Sequence, residues 1–188
     1  MNAVSMSGGI DAWNGLVSRA EVDQGMYLIE GNEGSEEVIS LAYGLEVGAY
    51  RFYRGLSENS SDAESSSLFD TLAKAELQHR ERLWEKYQAV AEKPMTRESF
   101  ESGIVPETME GGKTADQVLA QYPDWIHDTR ESLQLAMSLE TDALDLYLRM
   151  AGKSESDEAK AIFFKLAEEE KTHLRRLGEF LRGKFRPA

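Results

Sequence analysis

The chain contains no cysteine. That absence removes disulfide bridges, thiol catalysis, thiolate-held zinc and thiolate-ligated iron, so any metal or redox chemistry must use oxygen and nitrogen ligands. Histidine is scarce, with three in 188 residues, and there are four prolines. No apolar run approaches the ~20 residues needed to span a membrane. Basic residues are outnumbered, 21 Lys and Arg against 34 Asp and Glu, and the net charge of −13 leaves no basic stripe for a nucleic-acid backbone. Residues 1–16 have no basic start and are broken by the stretch Ser5 to Gly9, so they do not read as a secretory signal. These absences lead to the expectation of a soluble cytoplasmic protein with no membrane and no nucleic-acid partner.

What is present is an internal duplication. Residues 41–83, moved forward by 94 positions, fall on residues 135–177 with fifteen identities and no gap. Glu46 lands on Glu140, Glu76 on Glu170 and His79 on His173. Each half therefore reads Glu, then Glu-x-x-His beginning thirty positions later. A repeat kept for packing alone need preserve only its apolar positions, so carboxylates and imidazoles held in register mark a site.

From Ser35 onward the apolar spacing is helical. A first long helix is expected from about Ser35 to Ser57, with Leu41, Leu45, Val47, Phe52 and Leu56 as its apolar surface. Ser61 and Glu64 have capping-box spacing for a second helix that runs to about Val90, ahead of Pro94. Residues 91–128 form a long connection punctuated by Pro94, Pro106, Gly111, Gly112 and Pro123. Within it, Thr114 and Gln117 cap a short helix ending near Tyr122. A third long helix is expected from about Thr129 to Ala151, stopped by Gly152, and a fourth from about Asp157 to Leu181. Glu46 lies ~12 residues before the first turn, or about 18 Å, and Glu76 ~15 residues after it, or about 22 Å, so the two stand at nearly one height on an antiparallel hairpin. The second hairpin repeats this for Glu140 and Glu170. A connection of that length can cross the whole bundle, which would make the second and third long helices parallel and relate the hairpins by a pseudo-two-fold axis. The fold class expected is all-α, a four-helix bundle with a long crossover between helices two and three.

In such a bundle Glu46, Glu76, His79, Glu140, Glu170 and His173 meet at mid-height. Three residues of separation put the Glu and His of each Glu-x-x-His on one helical face. A Glu from each of two helices plus Glu-x-x-His from each of the other two is a di-metal carboxylate arrangement. Four carboxylates and two neutral imidazoles balance two divalent ions, whereas the empty cluster must take up protons or destabilise the fold. Tyr53 and Tyr147, seven residues after Glu46 and Glu140, are either core aromatics or hydrogen-bond partners of the ligands. His127 reads as a surface residue. Glu168 and Glu169 extend an acidic run of which at least one member is solvated.

The pattern E-x-x-A-x-x-x-Y followed by F-x-x-L-A-x-x-E-x-x-H occurs twice. The first copy is Glu46, Ala49, Tyr53, Phe69, Leu72, Ala73, Glu76, His79, and the second is Glu140, Ala143, Tyr147, Phe163, Leu166, Ala167, Glu170, His173. Over about residues 36–182 the chain resembles the rubrerythrin family of the ferritin-like superfamily. The resemblance implies a ferritin-like bundle holding a non-haem di-iron centre that reacts with hydrogen peroxide or dioxygen. It implies two iron ions as cofactors, with manganese or zinc as alternatives, Glu76 and Glu170 as bridging carboxylates and Glu46 and Glu140 as terminal ones. Members usually carry a rubredoxin-like domain with four cysteines that supplies electrons, and a second Glu three residues after the third-helix ligand. Here there is no cysteine and that position is Ala143. The implied activity is an oxidoreductase of oxidative stress fed by a separate electron-donor protein. The alternatives are an iron-binding or iron-handling protein, or an accessory metal-binding domain without turnover.

Residues 4–15 resemble the closing strand, turn and helix of a rhodanese domain, without the sulfur-carrying cysteine loop. The expected division is residues 1–34 as a rhodanese-like remnant or linker and residues 35–188 as the ferritin-like di-metal domain. Ile10, Trp13, Leu16, Met26 and Leu28 are too few to form a core of their own. Together with the side-by-side pairing common in the superfamily, this leads to the expectation of a homodimer.

Overall fold

Apolar residues at helical spacing, separated by polar turns and capped at their starts, produce six α-helices in the computed structural model. It describes residues 25–104, 108–109 and 112–185. The helices are α1 (Ser35–Asn59), α2 (Ala63–Val90), α3 (Arg97–Gly103), α4 (Ala115–Gln121), α5 (Thr129–Lys153) and α6 (Asp157–Lys184). Short 3-10 turns occupy Met26–Leu28 and Trp125–His127. Among the described residues there is no strand, only an isolated antiparallel bridge between Thr108 and Thr114. No described helix is long and apolar enough to cross a membrane. The rhodanese-like stretch 4–15 lies outside the described residues.

Two apolar clusters fix the direction of each helix. One joins the start of α1 (Val38, Ile39, Leu45), the end of α2 (Leu83, Trp84, Tyr87), the end of α5 (Leu146, Tyr147, Met150) and the start of α6 (Ile162, Phe163, Leu166). The other joins the end of α1 (Phe52, Leu56), the start of α2 (Phe69, Leu72), the start of α5 (Leu133, Ala136) and Leu177 near the end of α6. So α1 runs antiparallel to α2 and to α5, and α2 and α5 are parallel, as the long crossover requires. Each fully buried Leu, Ile or Phe contributes roughly 1.5–3 kcal/mol. These two slabs of core supply the stability that a polar layer between them withdraws.

The helix starts are capped by side-chain oxygens. Asp62 caps α2, accepting from the Ser65 N–H at 2.9 Å, in place of the expected Ser61, whose hydroxyl instead donates to the His127 carbonyl at 2.9 Å. Asp62 also takes the Lys184 ammonium at 2.8 Å, which ties the end of α6 to the start of α2. Thr114 and Gln117 form the expected capping box of α4. Gly152 does not stop α5. The helix passes through it to Lys153, because Ser154 closes the last turn by donating both its N–H and its hydroxyl to the Met150 carbonyl. The Lys153 ammonium also reaches the Ile29 carbonyl. Helix α6 runs three residues past the expected Leu181.

The crossover holds α3, which the sequence pattern did not indicate. Phe100 of α3 inserts among Tyr43, Trp84 and Tyr87, with ring centroids 5.0, 5.2 and 4.4 Å away. Further along, Thr108 and Met109 lie directly on α1. A Cβ added to Gly48 would sit 3.0 Å from the Thr108 carbonyl oxygen and the Met109 side chain, so only glycine admits this approach.

Candidate metal centre

Between the two apolar slabs lies a layer of buried ionisable groups. Helix α1 supplies Glu46, α2 supplies Glu76 and His79, α5 supplies Glu140, and α6 supplies Glu170 and His173. All six are buried, none more than 6 % exposed. The structure thus brings together every residue that the duplicated pattern singles out.

Both imidazoles turn Nδ1 inward. His79 Nδ1 lies 2.8 Å from Glu76 and 3.2 Å from Glu46. His173 Nδ1 lies 3.2 Å from Glu76 and 3.3 Å from both Glu140 and Glu170. Glu76 therefore sits between the rings, one oxygen toward each. The rings stack with centroids 5.2 Å apart and planes 8° from parallel.

Two overlapping groups are placed so that they could hold a metal ion. Glu76, His79 and His173 form one, and Glu140, Glu170 and His173 the other, with one donor atom from each residue within 4.8 Å of its neighbours. The chemistry of the donors fits a cation. Glu46 Oε1, Glu76 Oε2, Glu140 Oε2 and His173 Nδ1 are buried without an aligned hydrogen bond, although His173 Nδ1 lies within ion-pair range of three carboxylates. Buried polar atoms that converge without partners are costly. A shared positive charge offsets that cost, and oxygen and imidazole donors suit iron, manganese or zinc.

The protonation pattern of the cluster follows from crowding. Burial pushes the Glu76 carboxyl well above its ordinary value. His173⁺ pulls the other way, and the carboxylates of Glu46, Glu170 and Glu140 add to the rise. Burial also opposes charge on Glu140, yet its contacts with Glu170, the His173 cation and the Tyr53 hydroxyl hold it below its ordinary value. Burial works against the His173 cation as well, but Glu76 and Glu140 overcome it and raise the group to about 9. Protons left in the metal-free layer thus collect on Glu76 and His173 while Glu140 stays ionised.

The Tyr53 hydroxyl donates to Glu140, across from its own helix. Burial, then the Glu140 charge, raises Tyr53 well above its ordinary value, so it remains a donor. Tyr53 stacks on Phe69 with centroids 6.4 Å apart at 26°, and Tyr147 on Phe163 at 6.4 Å and 23°. The repeat thus holds in three dimensions for these aromatic pairs as well as for the six buried polar residues. His127 is exposed, as expected, with Nδ1 2.8 Å from the Asn59 carbonyl.

Two features escaped the sequence pattern. Glu169 is largely buried and approaches His79 Nε2 at 3.9 Å, whereas Glu168 is exposed and paired with Lys171. Tyr43, one turn before Glu46, gathers Arg80 and Arg97, each 3.0 Å from its hydroxyl, and donates to Glu101. The signal available for Glu169 was a mismatch inside the repeat, since its counterpart 94 residues earlier is Ala75.

A small cavity of about 20 Å³ opens on the layer between Tyr53, Glu140, Glu170, Ala49, Ala143 and Met109. It has room for about one water-sized molecule.

Residues 131–187, which make up nearly all of the second hairpin, match the family described as Rubrerythrin. No curated protein matches the chain at a significant level. Among solved structures, the chain is similar to an uncharacterized conserved protein from Magnetospirillum magnetotacticum. The identity is 17 %, 83 % of this chain and 99 % of that one are covered, and the TM-score is 0.60. It is also similar to a hypothetical protein from Pyrococcus furiosus at 21 % identity, covering 79 % of this chain and 89 % of that one, with a TM-score of 0.51. At these identities the likeness speaks for the fold, which is a ferritin-like all-α bundle.

Proposed function

We propose that this protein is a non-haem di-iron oxidoreductase that reduces hydrogen peroxide or dioxygen with electrons from a separate donor protein. The observation that carries the reading is the buried layer of four carboxylates and two imidazoles whose oxygen and nitrogen atoms converge. The match of the second hairpin to the rubrerythrin family adds weight. Glu46, Glu76 and His79 would hold one ion and Glu140, Glu170 and His173 the other, with Glu76 and Glu170 shared.

Two iron ions held there would supply two electrons to an oxygen–oxygen bond, taking hydrogen peroxide and two protons to two waters. The protein's own part is positioning and exclusion. The cavity beside Tyr53 has room for about one water-sized molecule. Met109, itself buried, forms part of its wall. The Tyr53 hydroxyl keeps its proton and fixes the Glu140 carboxylate in place.

The same ligands serve a second reading, an iron-binding protein without turnover. Ala143 favours it, because the position three residues after Glu140 offers no carboxylate for a redox-linked change of ligand. One experiment separates the two. The Fe(II)-loaded protein is mixed with peroxide under anaerobic conditions, and the absorbance of an oxidised di-iron centre is followed. Rapid oxidation, followed by repeated cycles when reductant is added, supports the oxidoreductase. A single slow oxidation supports storage or handling.

A further inference from the structure

The pseudo-two-fold axis relates the six ligands pairwise, but it fails one layer further out. His79 uses Nδ1 to face Glu46 and Glu76, which leaves Nε2 pointing outward. There it meets Glu169 of α6, whose Oε2 is 3.9 Å away. The other oxygen of Glu169 is held by Arg82 at 2.7 Å. Arg82 stands one turn after His79 on α2, so imidazole, carboxylate and guanidinium form a chain from the buried layer to the surface. The Glu169 side chain is 18 % exposed and that of Arg82 41 %, so the chain ends in solvent.

Applying the 94-residue shift to this chain gives an unequal result. Arg82 has a counterpart in Arg176, and His79 in His173, but Glu169 corresponds to Ala75. Alanine has no oxygen to offer the outward nitrogen of His173. A histidine bound to a metal through one nitrogen must keep its proton on the other, and a carboxylate there fixes the tautomer and ring and makes the imidazole a stronger donor.

We infer that Glu169, tethered by Arg82, is a positioning residue for His79, and that it makes the two halves of an otherwise symmetric centre unequal. The inference rests on the metal-binding reading of the layer. The ion on the His79 side is the tighter one, and the ion on the His173 side is the more readily lost. At 3.9 Å the contact is an ion-pair approach, and a small rotation of either side chain closes it to a hydrogen bond.

Cobalt(II) is the probe, since it takes oxygen and nitrogen ligands and its paramagnetism shifts the ring N–H protons of bound histidines out of the main spectrum. The full-length chain is titrated with cobalt(II) and the affinities of the two ions are measured. Wild type is expected to bind two ions in two separable steps, with one exchangeable ring N–H signal markedly longer-lived than the other. Glu169→Gln should weaken the tighter ion by about 10- to 100-fold and shorten the lifetime of that signal. Arg82→Gln, which removes the tether but keeps the carboxylate, should weaken the same ion by a smaller factor. Ala75→Glu should bring the two affinities closer together, and Glu168→Gln, a charge lost one residue away on the exposed side, should change neither. If the wild type takes up no cobalt, the metal reading fails and this inference with it. If it takes up two ions, but Glu169→Gln and Arg82→Gln leave affinities and N–H lifetimes unchanged, this inference alone is overturned.

Discussion

The imidazoles of His79 and His173 lie face to face, 5.2 Å between centroids and 8° from parallel, although they come from helices in different hairpins. Glu76 reaches both inward nitrogens, one oxygen to each. That placement gives Glu76 a different weight from the other five residues. Glu76→Ala is expected to abolish both metals, or to leave at most one loosely held. Glu46→Ala should cost chiefly the ion on the His79 side, and Glu170→Ala at least one ion. Glu168→Ala should leave metal content unchanged. Elemental analysis of iron-loaded protein checks this, with two ions per chain as the wild-type value, and equal losses from all four variants would show that the ligand register is wrong.

Metal-free protein should lose stability as pH rises. His173 is raised to about 9 from an ordinary 6.5, so its protonated form stabilises the fold fully below pH 6.5, and that stability is lost as pH passes 9. Glu76, raised above 4.5, acts in the same direction over its own range. Glu140 is lowered, so its contribution is lost only as pH falls below about 4.5, outside this window. Metal-loaded protein should behave in the opposite way, because ligands must shed protons to bind. Thermal melts with and without chelator between pH 6.5 and 9 provide the comparison. An apo melting point that climbs across that range contradicts the assignment.

Tyr53→Phe removes the donor to a buried carboxylate. The apo protein should lose about 1–3 kcal/mol, the usual cost of leaving a buried partner unsatisfied. The metal-loaded protein should lose less, since the ion shares the Glu140 charge. Chemical denaturation of both forms, with metal content measured alongside, tests this. An equal loss in the two forms would mean that Tyr53 acts only as packing.

Gly48 and Gly55 should answer differently to alanine. At Gly48 the new Cβ meets backbone atoms of Thr108 and Met109 at 3.0–3.1 Å, and backbone cannot easily retreat. At Gly55 it meets the tip of the Leu119 side chain, at 2.3 Å, which can rotate away. Replacing helical glycine by alanine otherwise gains about 1 kcal/mol, while overpacking costs roughly 1–3 kcal/mol. Gly48→Ala is therefore expected to destabilise and to displace Met109 from the cavity wall, whereas Gly55→Ala should be near neutral. Denaturant midpoints, together with the rate at which azide reaches the loaded centre, distinguish the two.

The six central residues were legible because the chain states the pattern twice, so chance matches in one half are screened by the other. The long helices were legible from their apolar spacing. So were several of their ends, at Ser35, Val90, Thr129 and Asp157, but not all. Asp62 rather than Ser61 caps α2 because its carboxylate can accept from Ser65 and pair with Lys184 at once, and that lysine comes from the far end of the chain. Gly152 was expected to break α5, but Ser154, just past the helix, donates to the Met150 carbonyl, and Lys153 reaches across to the Ile29 carbonyl. Helix α3 is only seven residues long and depends on Phe100 reaching the rings of Tyr43, Trp84 and Tyr87, a tertiary contact with no local signature. Glu169 was hidden in an acidic run, where only the geometry distinguishes it from Glu168.

Each half of the ligand set is carried by one contiguous hairpin, and the aromatic pairs Tyr53–Phe69 and Tyr147–Phe163 repeat at the same 6.4 Å spacing. Two copies of one short coding segment, joined by a crossover, are therefore enough to create the whole pocket. Once fused, the copies are free to diverge separately, which two identical chains meeting as partners could never do. A substitution in one hairpin then alters one side of the pocket and leaves the other as an unchanged reference. The difference between Ala75 and Glu169 is a mark of that freedom, preserved in a chain whose inner ligands have not drifted apart.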